Sequence, residues 1–109
     1  MNERTYKAYV QILEDELIVA TGCTEPIAIA FASANAAQVL GSEPERISIS
    51  VSGNIIKNVH SVTVPNTGGQ HGMKTAVAAG IAAGDADKGL DVLSSLDDDG
   101  RAYMARYLE

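Results

Sequence analysis

Residues 21–40 read TGCTEPIAIAFASANAAQVL, and this stretch predicts more of the fold than any other. Gly22 gives the backbone freedom, Thr24 or Glu25 can cap a helix, and Pro26 suits its first turn, where no N–H is needed. Between Pro26 and Leu40 there is no charged residue, and apolar side chains surround the predicted helix. We therefore expect a central or interfacial helix. At about 15 residues it is too short to span a bilayer, which takes roughly 20.

The segments on either side predict another helix and a strand. Apolar residues recur at helical spacing from Glu3 to Ile18, with acidic residues largely on the other side, which predicts a first helix over that range. After the central helix, Ile47, Ile49 and Val51 alternate with serines. A period of two is typical of a half-buried strand, so we predict one here.

The next twenty residues lose regular periodicity. Residues 53–72 collect asparagines, glycines and both histidines, and we predict a loop that presents polar groups, with a short strand at residues 61–64. After it, Met73 to Ala83 predicts an alanine-rich helix in which Gly80 and Gly84 permit close approach of a partner helix.

Three acidic residues, Asp97 to Asp99, are expected to cap a last helix that contains Tyr103 and Tyr107. Together these elements predict an α+β fold that is mostly helical, with alanine-rich helices packed against one or two short strands. At 109 residues the chain fits a single domain, 1–109, with a modest core.

Composition and charge restrict the classes of function. The formal net charge is −6 and basic residues do not cluster, which argues against a nucleic-acid partner. The first residues are polar and predict neither a signal nor a transit peptide. A single cysteine forms no internal disulfide, in agreement with a reducing compartment. We expect a cytoplasmic protein without a membrane partner.

Cys23 is the first candidate for a reactive or metal-ligating atom. It stands where the central helix is predicted to begin, and unpaired N–H groups and the helix dipole favour a thiolate there. The alternative is a small buried hydrophobic residue, which is the commoner role of an isolated cysteine.

The predicted loop is the second candidate. From residue 47 to residue 84 there is no Asp or Glu, whereas Lys57 and Lys74 are present, so we expect a locally positive site for an anionic substrate. Gly68 and Gly69 can expose backbone N–H groups to a carboxylate or phosphate, although glycine pairs also occur in plain turns. Neither a Walker loop nor a dinucleotide fingerprint is present.

The two histidines of this loop, His60 and His71, lack a third ligand at suitable spacing. We interpret them as hydrogen-bonding residues of the loop and retain a zinc site only as an alternative.

Three motifs carry a resemblance to a known family: TGCTEP at residues 21–26, VSGNIIKNV at 51–59 and VPNTGG at 64–69. Together they resemble the amino-terminal part of the L-cysteine desulfidase family, which is related to the α chain of iron–sulfur L-serine dehydratases. The likeness covers nearly all of the chain. Family members are several times longer, so the resemblance implies that this sequence corresponds to about their first quarter.

The resemblance implies a lyase that removes sulfide or water, together with ammonia, from a small β-substituted L-amino acid and leaves pyruvate. It implies a [4Fe-4S] cluster held by three cysteines, with the fourth iron open as a Lewis acid. Cys23 matches the amino-terminal ligand, and the other two would lie in a part of the family's sequence that is absent here. We therefore expect this chain alone to be inactive and to act with the remainder of the enzyme or a second chain, in a homo-oligomer.

The roles of the other polar residues are predicted from their chemistry. Lys57 is the candidate to pair with the substrate carboxylate or to assist proton removal at Cα, and a solvated surface lysine is the alternative. Side chains and backbone groups that would orient the substrate are Asn54, Asn58, Asn66, Thr67, Gly68 and Gly69.

Two other functions remain open. One is a non-catalytic fragment or association module that docks through its uncharged helices. The other is a pyridoxal-phosphate lyase in which Lys57 forms the Schiff base and residues 68–72 hold the cofactor phosphate. The second leaves Cys23 without a role and requires a much larger chain.

Overall fold

A computed structural model describes residues 1–18 and 22–108. Five α-helices follow one another along the chain, and two short 3₁₀ turns, joined at Gly89, lie between the fourth and the fifth. The helices are α1 (Glu3–Glu16), α2 (Thr24–Leu40), α3 (Gly53–Val59), α4 (Met73–Ala83) and α5 (Asp98–Leu108), and the 3₁₀ segment is Ala86–Ser95. The mostly helical part of the predicted fold class is confirmed.

The core lies between α2 and α4. Its alanine-rich faces meet so closely that a Cβ added to Gly80 would collide with the backbone carbonyl of Ala30. Glycine is therefore needed at this crossing, and the predicted close approach at Gly80 is confirmed. Gly84 has a different role: it ends α4 in the left-handed conformation, with φ +72°.

The C-terminal elements close the other side of the core. Leu93 and Met104 are buried there against α2 and α4. Asp97 caps α5 as predicted, since its Oδ1 accepts a hydrogen bond of 2.8 Å from the N–H of Gly100. The Tyr107 hydroxyl donates to the carbonyl oxygen of Pro44 at 2.9 Å and so connects α5 to the segment after α2.

The predicted strands are not confirmed. In the described part of the chain, Ile47, Ile49 and Val51 belong to no strand, and the 61–64 strand is reduced to a single antiparallel bridge between Thr63 and His71. A strand is stabilised by its ladder of hydrogen bonds, and the described residues supply no second strand for residues 47–51.

The prediction of a continuous loop at residues 53–72 is wrong at its beginning, where α3 forms. The Ser52 hydroxyl accepts a hydrogen bond of 3.3 Å from the N–H of Ile55 and caps this short helix. The 3₁₀ segment Ala86–Ser95 was not predicted either. Its apolar residues Ala86, Leu90 and Leu93 do recur at helical spacing, but the non-helical backbone at Gly89 divides the segment into two short turns.

Helix α1 begins where predicted and ends two residues earlier, at Glu16. None of its residues is buried, and Tyr6, Ile12 and Leu13 each expose more than half of their surface. Residues 19–21, which include the start of the TGCTEP motif, lie outside the described residues. Within the described ranges, no helix is long and apolar enough to cross a membrane.

Candidate functional site at the amino terminus of α2

Cys23 is the residue from which α2 starts. Its backbone is extended, with φ −71° and ψ 139°, and its side chain makes no capping hydrogen bond. The thiol is exposed. Among the described residues nothing buries Cys23, so its sulfur is accessible to a ligand or a reagent in this chain. The helix itself provides no acceptor for the N–H groups of Thr24 and Glu25. Pro26, the next residue, has no N–H group.

The residue before Cys23 contacts the loop that carries the motif at residues 64–69. Gly22 adopts a left-handed φ of +82°, and a Cβ built on it would lie 2.5 Å from Cγ of Pro65. Two features, the backbone conformation and the close contact, therefore require glycine here. As a result the loop that begins at Val64 lies directly beside the start of α2.

The residues after Cys23 contact the motif at residues 51–59. The Nδ2 of Asn58, at the end of α3, donates a long hydrogen bond of 3.5 Å to Oε1 of Glu25. The Thr24 hydroxyl lies 3.4 Å from the other carboxylate oxygen, Oε2. A carboxylate in the first turn is also favoured by the helix dipole. Glu25 therefore connects the start of α2 with α3.

Residues 22–26 thus contact both later motifs: Gly22, before Cys23, packs against Pro65 of 64–69, and Glu25, after Cys23, bonds Asn58 of 51–59. We call Gly22, Cys23, Glu25, Asn58 and Pro65 the α2 start site. Of the predicted site residues, Cys23 and Asn58 belong to this site, and Asn58 is connected to it through Glu25, two residues after Cys23. Lys57 and Asn54 lie on the same short helix as Asn58, and both are exposed.

Asn66 holds the 64–69 loop in place. It adopts φ +61°, a conformation that asparagine tolerates better than most residues, and its Nδ2 donates a hydrogen bond of 2.9 Å to the carbonyl oxygen of Leu93. Its own carbonyl oxygen accepts a bond of 2.8 Å from Nη1 of Arg101. The side-chain amide thus has a structural contact, and its predicted contact with substrate stays a prediction.

The Thr67 side chain also makes hydrogen bonds within the fold. Only 1% of its surface is exposed, and its hydroxyl donates to the carbonyl oxygen of Val64 at 2.7 Å, with the carbonyl oxygen of Gln70 at 3.2 Å. The N–H of Val64 also bonds the Gln70 carbonyl oxygen, at 2.9 Å. These bonds close the loop on itself. The substrate role predicted for Thr67 therefore stays a prediction beside this structural role.

Gly68 and Gly69 form the exposed tip of this closed loop. Both have left-handed φ values, +73° and +88°, and a Cβ on either would meet no atom within 4 Å. The left-handed backbone conformation therefore requires glycine at both positions, and the space around both residues is open. Their backbone groups remain candidates for binding an anion. The helix that follows, α4, has Gly72 at its cap and no side-chain cap bond.

Glu25 was missed as a site residue, because the sequence suggested only a capping role for it. The available signal was its position two residues after Cys23 in a motif rich in polar side chains. Its carboxylate also changes the expected locally positive site. Residues 47–84 contain no Asp or Glu, but the Glu25 carboxylate from α2 contacts Asn58 within that segment.

The predicted cluster can be compared with the side chains that the described residues offer as metal ligands. Cys23 fits as a single ligand because its sulfur is exposed at a helix start. Within residues 1–18 and 22–108 there is no group of three or more His, Cys, Asp or Glu side chains that could hold a metal ion. Further cluster ligands would therefore have to come from other sequence.

The chain is similar to curated bacterial proteins named UPF0597. It is 47% identical to one from Treponema denticola, over 99% of this chain and 25% of the relative. One from Desulfitobacterium hafniense is 49% identical over 97% of this chain and 25% of the relative, and one from Finegoldia magna is 55% identical over 85% and 22%. The chain thus spans about a quarter of the length of these relatives. No family model matches the chain, and no solved structure gives a significant match.

These names correct one prediction. The three motifs had suggested membership of the L-cysteine desulfidase family, but the similar proteins are named UPF0597, and none of these three is named a desulfidase or a serine dehydratase. The family assignment is therefore wrong by this comparison. The UPF0597 relatives are about four times as long as this chain.

Proposed function

We propose that this chain forms one part of the active site of an iron–sulfur-dependent amino-acid lyase, whose other part belongs to sequence that the longer relatives have. The reaction would eliminate water or sulfide from a β-substituted L-amino acid to leave aminoacrylate, and a water molecule would then hydrolyse its imine tautomer, which releases ammonia and leaves pyruvate. The observation that supports the proposal is that both later motifs contact residues close to an exposed cysteine, at a helix start that has no side-chain cap.

Cys23 would supply one ligand to a [4Fe-4S] cluster. When bound, such a cluster with an open iron supplies a Lewis acid for the hydroxyl or thiol that leaves. The chain's own contribution is to hold the sulfur in a fixed position. Pro65 packs against Gly22, the residue before Cys23, and α2 begins at Thr24, the residue after Cys23.

The neighbouring groups suit an amino-acid substrate. The free N–H groups of Thr24 and Glu25 favour an anion such as the substrate carboxylate, while the Glu25 carboxylate favours the substrate ammonium group. Asn58 keeps that carboxylate oriented toward α3. This places binding groups of both signs beside Cys23.

Lys57 would act at Cα or at the carboxylate. It lies next to Asn58 on α3 and is exposed in this chain. A lysine base needs burial or a neighbouring positive charge to lose its proton near neutral pH. The remaining sequence of a longer protein would have to provide that cover, since the described residues leave Lys57 in solvent.

Anaerobic reconstitution with iron and sulfide tests this proposal. We would use this chain and a chimera in which it replaces the matching quarter of the Treponema denticola relative, followed by iron counting and pyruvate release from L-serine and L-cysteine. The chimera is expected to bind about four irons and to form pyruvate. Cys23→Ser should abolish both.

The matched control is Ala28→Ser, an exposed position on α2 that introduces the same hydroxyl and leaves the thiol in place. It should keep the cluster. Iron uptake that is equal in the Cys23→Ser and Ala28→Ser chimeras, or no uptake by the folded parent chimera, would reject Cys23 as a ligand.

A second candidate function is the association module. Exposed apolar side chains on α1, among them Tyr6 and Leu13, favour it, because a 14-residue helix with no buried residue gains little stability from its own domain. Size-exclusion chromatography with light scattering tests this candidate. A stable dimer of the chain alone that is lost on Leu13→Asp would support self-association through α1, and a monomer at all concentrations would reject self-association. The pyridoxal-phosphate alternative has no comparable support, since Lys57 is exposed and Cys23 would have no role.

A further inference from the structure

An apolar groove runs beside α2, on the C-terminal side of the α2 start site. Its volume is about 420 Å³, and one wall consists of Ile29, Ala36 and Leu40 from α2 with Val77 and Ile81 from α4. The segment 46–51, which is part of the connection between α2 and α3, also lines the groove. Leu40, Ile47 and Ile49 are 56%, 40% and 36% exposed, so the groove is open to solvent.

The segment 46–51 has unused hydrogen-bonding capacity. Among the described residues, no backbone hydrogen bond is made by any residue of this segment, whereas Pro44 before it and Ser52 after it both take part in one. Backbone groups beside an apolar groove are satisfied by water only while the groove stays open. Any partner that fills the groove must therefore also supply hydrogen-bond donors and acceptors to this backbone.

The side chains of the segment have the pattern of a strand. Ile47, Ile49 and Val51 alternate with Ser48 and Ser50, and this period of two is typical of a strand with one buried face. The described chain offers the buried face, which is the α2 and α4 wall, but no neighbouring strand. A free edge of this kind is a template for pairing.

We propose that residues 46–51 form one strand of a β-sheet whose other strands come from the three quarters of the relatives that lie outside the matched region. This sheet would lie over α2 and α4 and close the groove. The relatives are about four times as long as this chain, so they contain sequence for several strands. A second copy of the chain would add only one strand, and a two-stranded pair is marginally stable in water.

Hydrogen exchange read at single residues tests the proposal on this chain and on the chimera with the Treponema denticola relative. In the chain alone, amides of residues 46–51 are expected to exchange fast, while those of Thr75–Gly80 in α4 are protected. In the chimera, exchange in 46–51 should slow by roughly a hundredfold or more. If pairing occurs on one edge, the slowed amides are those of every second residue, since alternate N–H groups point to the same side.

Variants separate pairing in the groove from general stabilisation. Ile49→Asp places a charge in the groove wall and should remove the protection of 46–51 in the chimera, whereas Asn35→Asp adds the same charge at an exposed position of α2 outside the groove and should not. Fast exchange of 46–51 in the folded chimera would overturn the proposal. Protection that appears in the chain alone as its concentration rises would also overturn it, because the partner would then be a second copy.

Discussion

Gly22 packs against the ring of Pro65, and a Cβ on Gly22 would lie 2.5 Å from Cγ of that proline. This contact joins two segments that are more than forty residues apart in sequence, directly before the only cysteine of the chain. On the other side of Cys23, Glu25 contacts Asn58 of α3. The chain on either side of Cys23 is therefore held by contacts with both later motifs.

The first prediction concerns this contact. Gly22→Ala should lower the free energy of unfolding, because alanine is strained at φ +82° and its Cβ collides with Pro65. Gly41→Ala is a matched control: Gly41 has φ +74°, but a Cβ there meets nothing within 4 Å. Urea unfolding should show Gly22→Ala to be less stable than Gly41→Ala by about 1–3 kcal/mol. Equal losses in the two variants would contradict the contact.

The second prediction concerns the helix crossing in the core. Gly80→Ala should destabilise the chain by about 1–3 kcal/mol or more, because the added methyl group meets the backbone of Ala30 and the two helices must move apart. Gly53→Ala, at the start of α3 with open space around it, should be neutral or slightly stabilising. The midpoint of urea unfolding measures both. A Gly80→Ala variant as stable as the parent chain would show that the crossing is not close.

The third prediction distinguishes the two roles of Thr67. Thr67→Val keeps the shape of the side chain but leaves the buried carbonyl oxygen of Val64 without the hydroxyl donor, so stability should fall by about 1–3 kcal/mol. Thr67→Ser retains the hydroxyl and should lose less than Thr67→Val. Thermal unfolding followed by circular dichroism compares the two. If valine is tolerated as well as serine, the hydroxyl does not hold the loop closed.

The fourth prediction is a pH dependence. Burial, and then the hydrogen bond with Tyr103, raise the pKa of Tyr107 well above its ordinary value of 10.0. The folded state therefore keeps this proton at pH values where the unfolded chain loses it. Its contribution to stability is fully present below pH 10 and decreases as the pH rises above 10.

Urea unfolding at pH 9 and pH 11 measures this effect. The parent chain should lose more stability between these two values than the Tyr107→Phe variant, which has no hydroxyl to titrate. Phenylalanine also removes the bond to the carbonyl oxygen of Pro44, so only the difference between the two pH values is compared. Parallel pH profiles for the two proteins would contradict the raised pKa.

Local signals in the sequence predicted the helices well. The uncharged stretch that follows Pro26 and the alanine-rich stretch from Met73 to Ala83 are long enough for periodicity and composition to be informative, and α2 and α4 lie there. Gly80 could be assigned to a close contact because glycine weakens the interior of an alanine-rich helix, and small residues at such positions let two helix backbones approach each other.

The sequence could not predict elements whose form depends on partners distant in the chain. The segment 46–51 has the alternation of a strand, but a strand requires a neighbour, and the described residues contain none for it. Helix α3 is only seven residues long, so its period is too short to recognise, and the cap at Ser52 was the only local signal.

The candidate site was predicted in part for the same reason. Cys23 was recognisable from its helix-start position, and Asn58 as a polar residue of a motif. That Glu25 contacts Asn58 could not be predicted, because the pairing depends on how α3 packs against α2. Asn66 and Thr67 were predicted to face a substrate, and their side-chain hydrogen bonds within the fold are visible only in three dimensions.

The central claim is that the three motifs meet around the Cys23 thiol, and a nitroxide label on this single cysteine tests it most directly. In the ¹H–¹⁵N spectrum of the chain, the label should strongly broaden the amide signals of Asn58 and Asn66. As a control, the label is moved to Val39→Cys in the Cys23→Ser background, an exposed position about 24 Å farther along α2.

With the label at residue 39, the signals of Asn58 and Asn66 should be much less broadened than with the label at Cys23. That difference would place the later motifs at the start of α2, as the structure has them. Equal broadening from the two positions, or sharp Asn58 and Asn66 signals with the label on Cys23, would contradict the claim that these motifs surround the thiol.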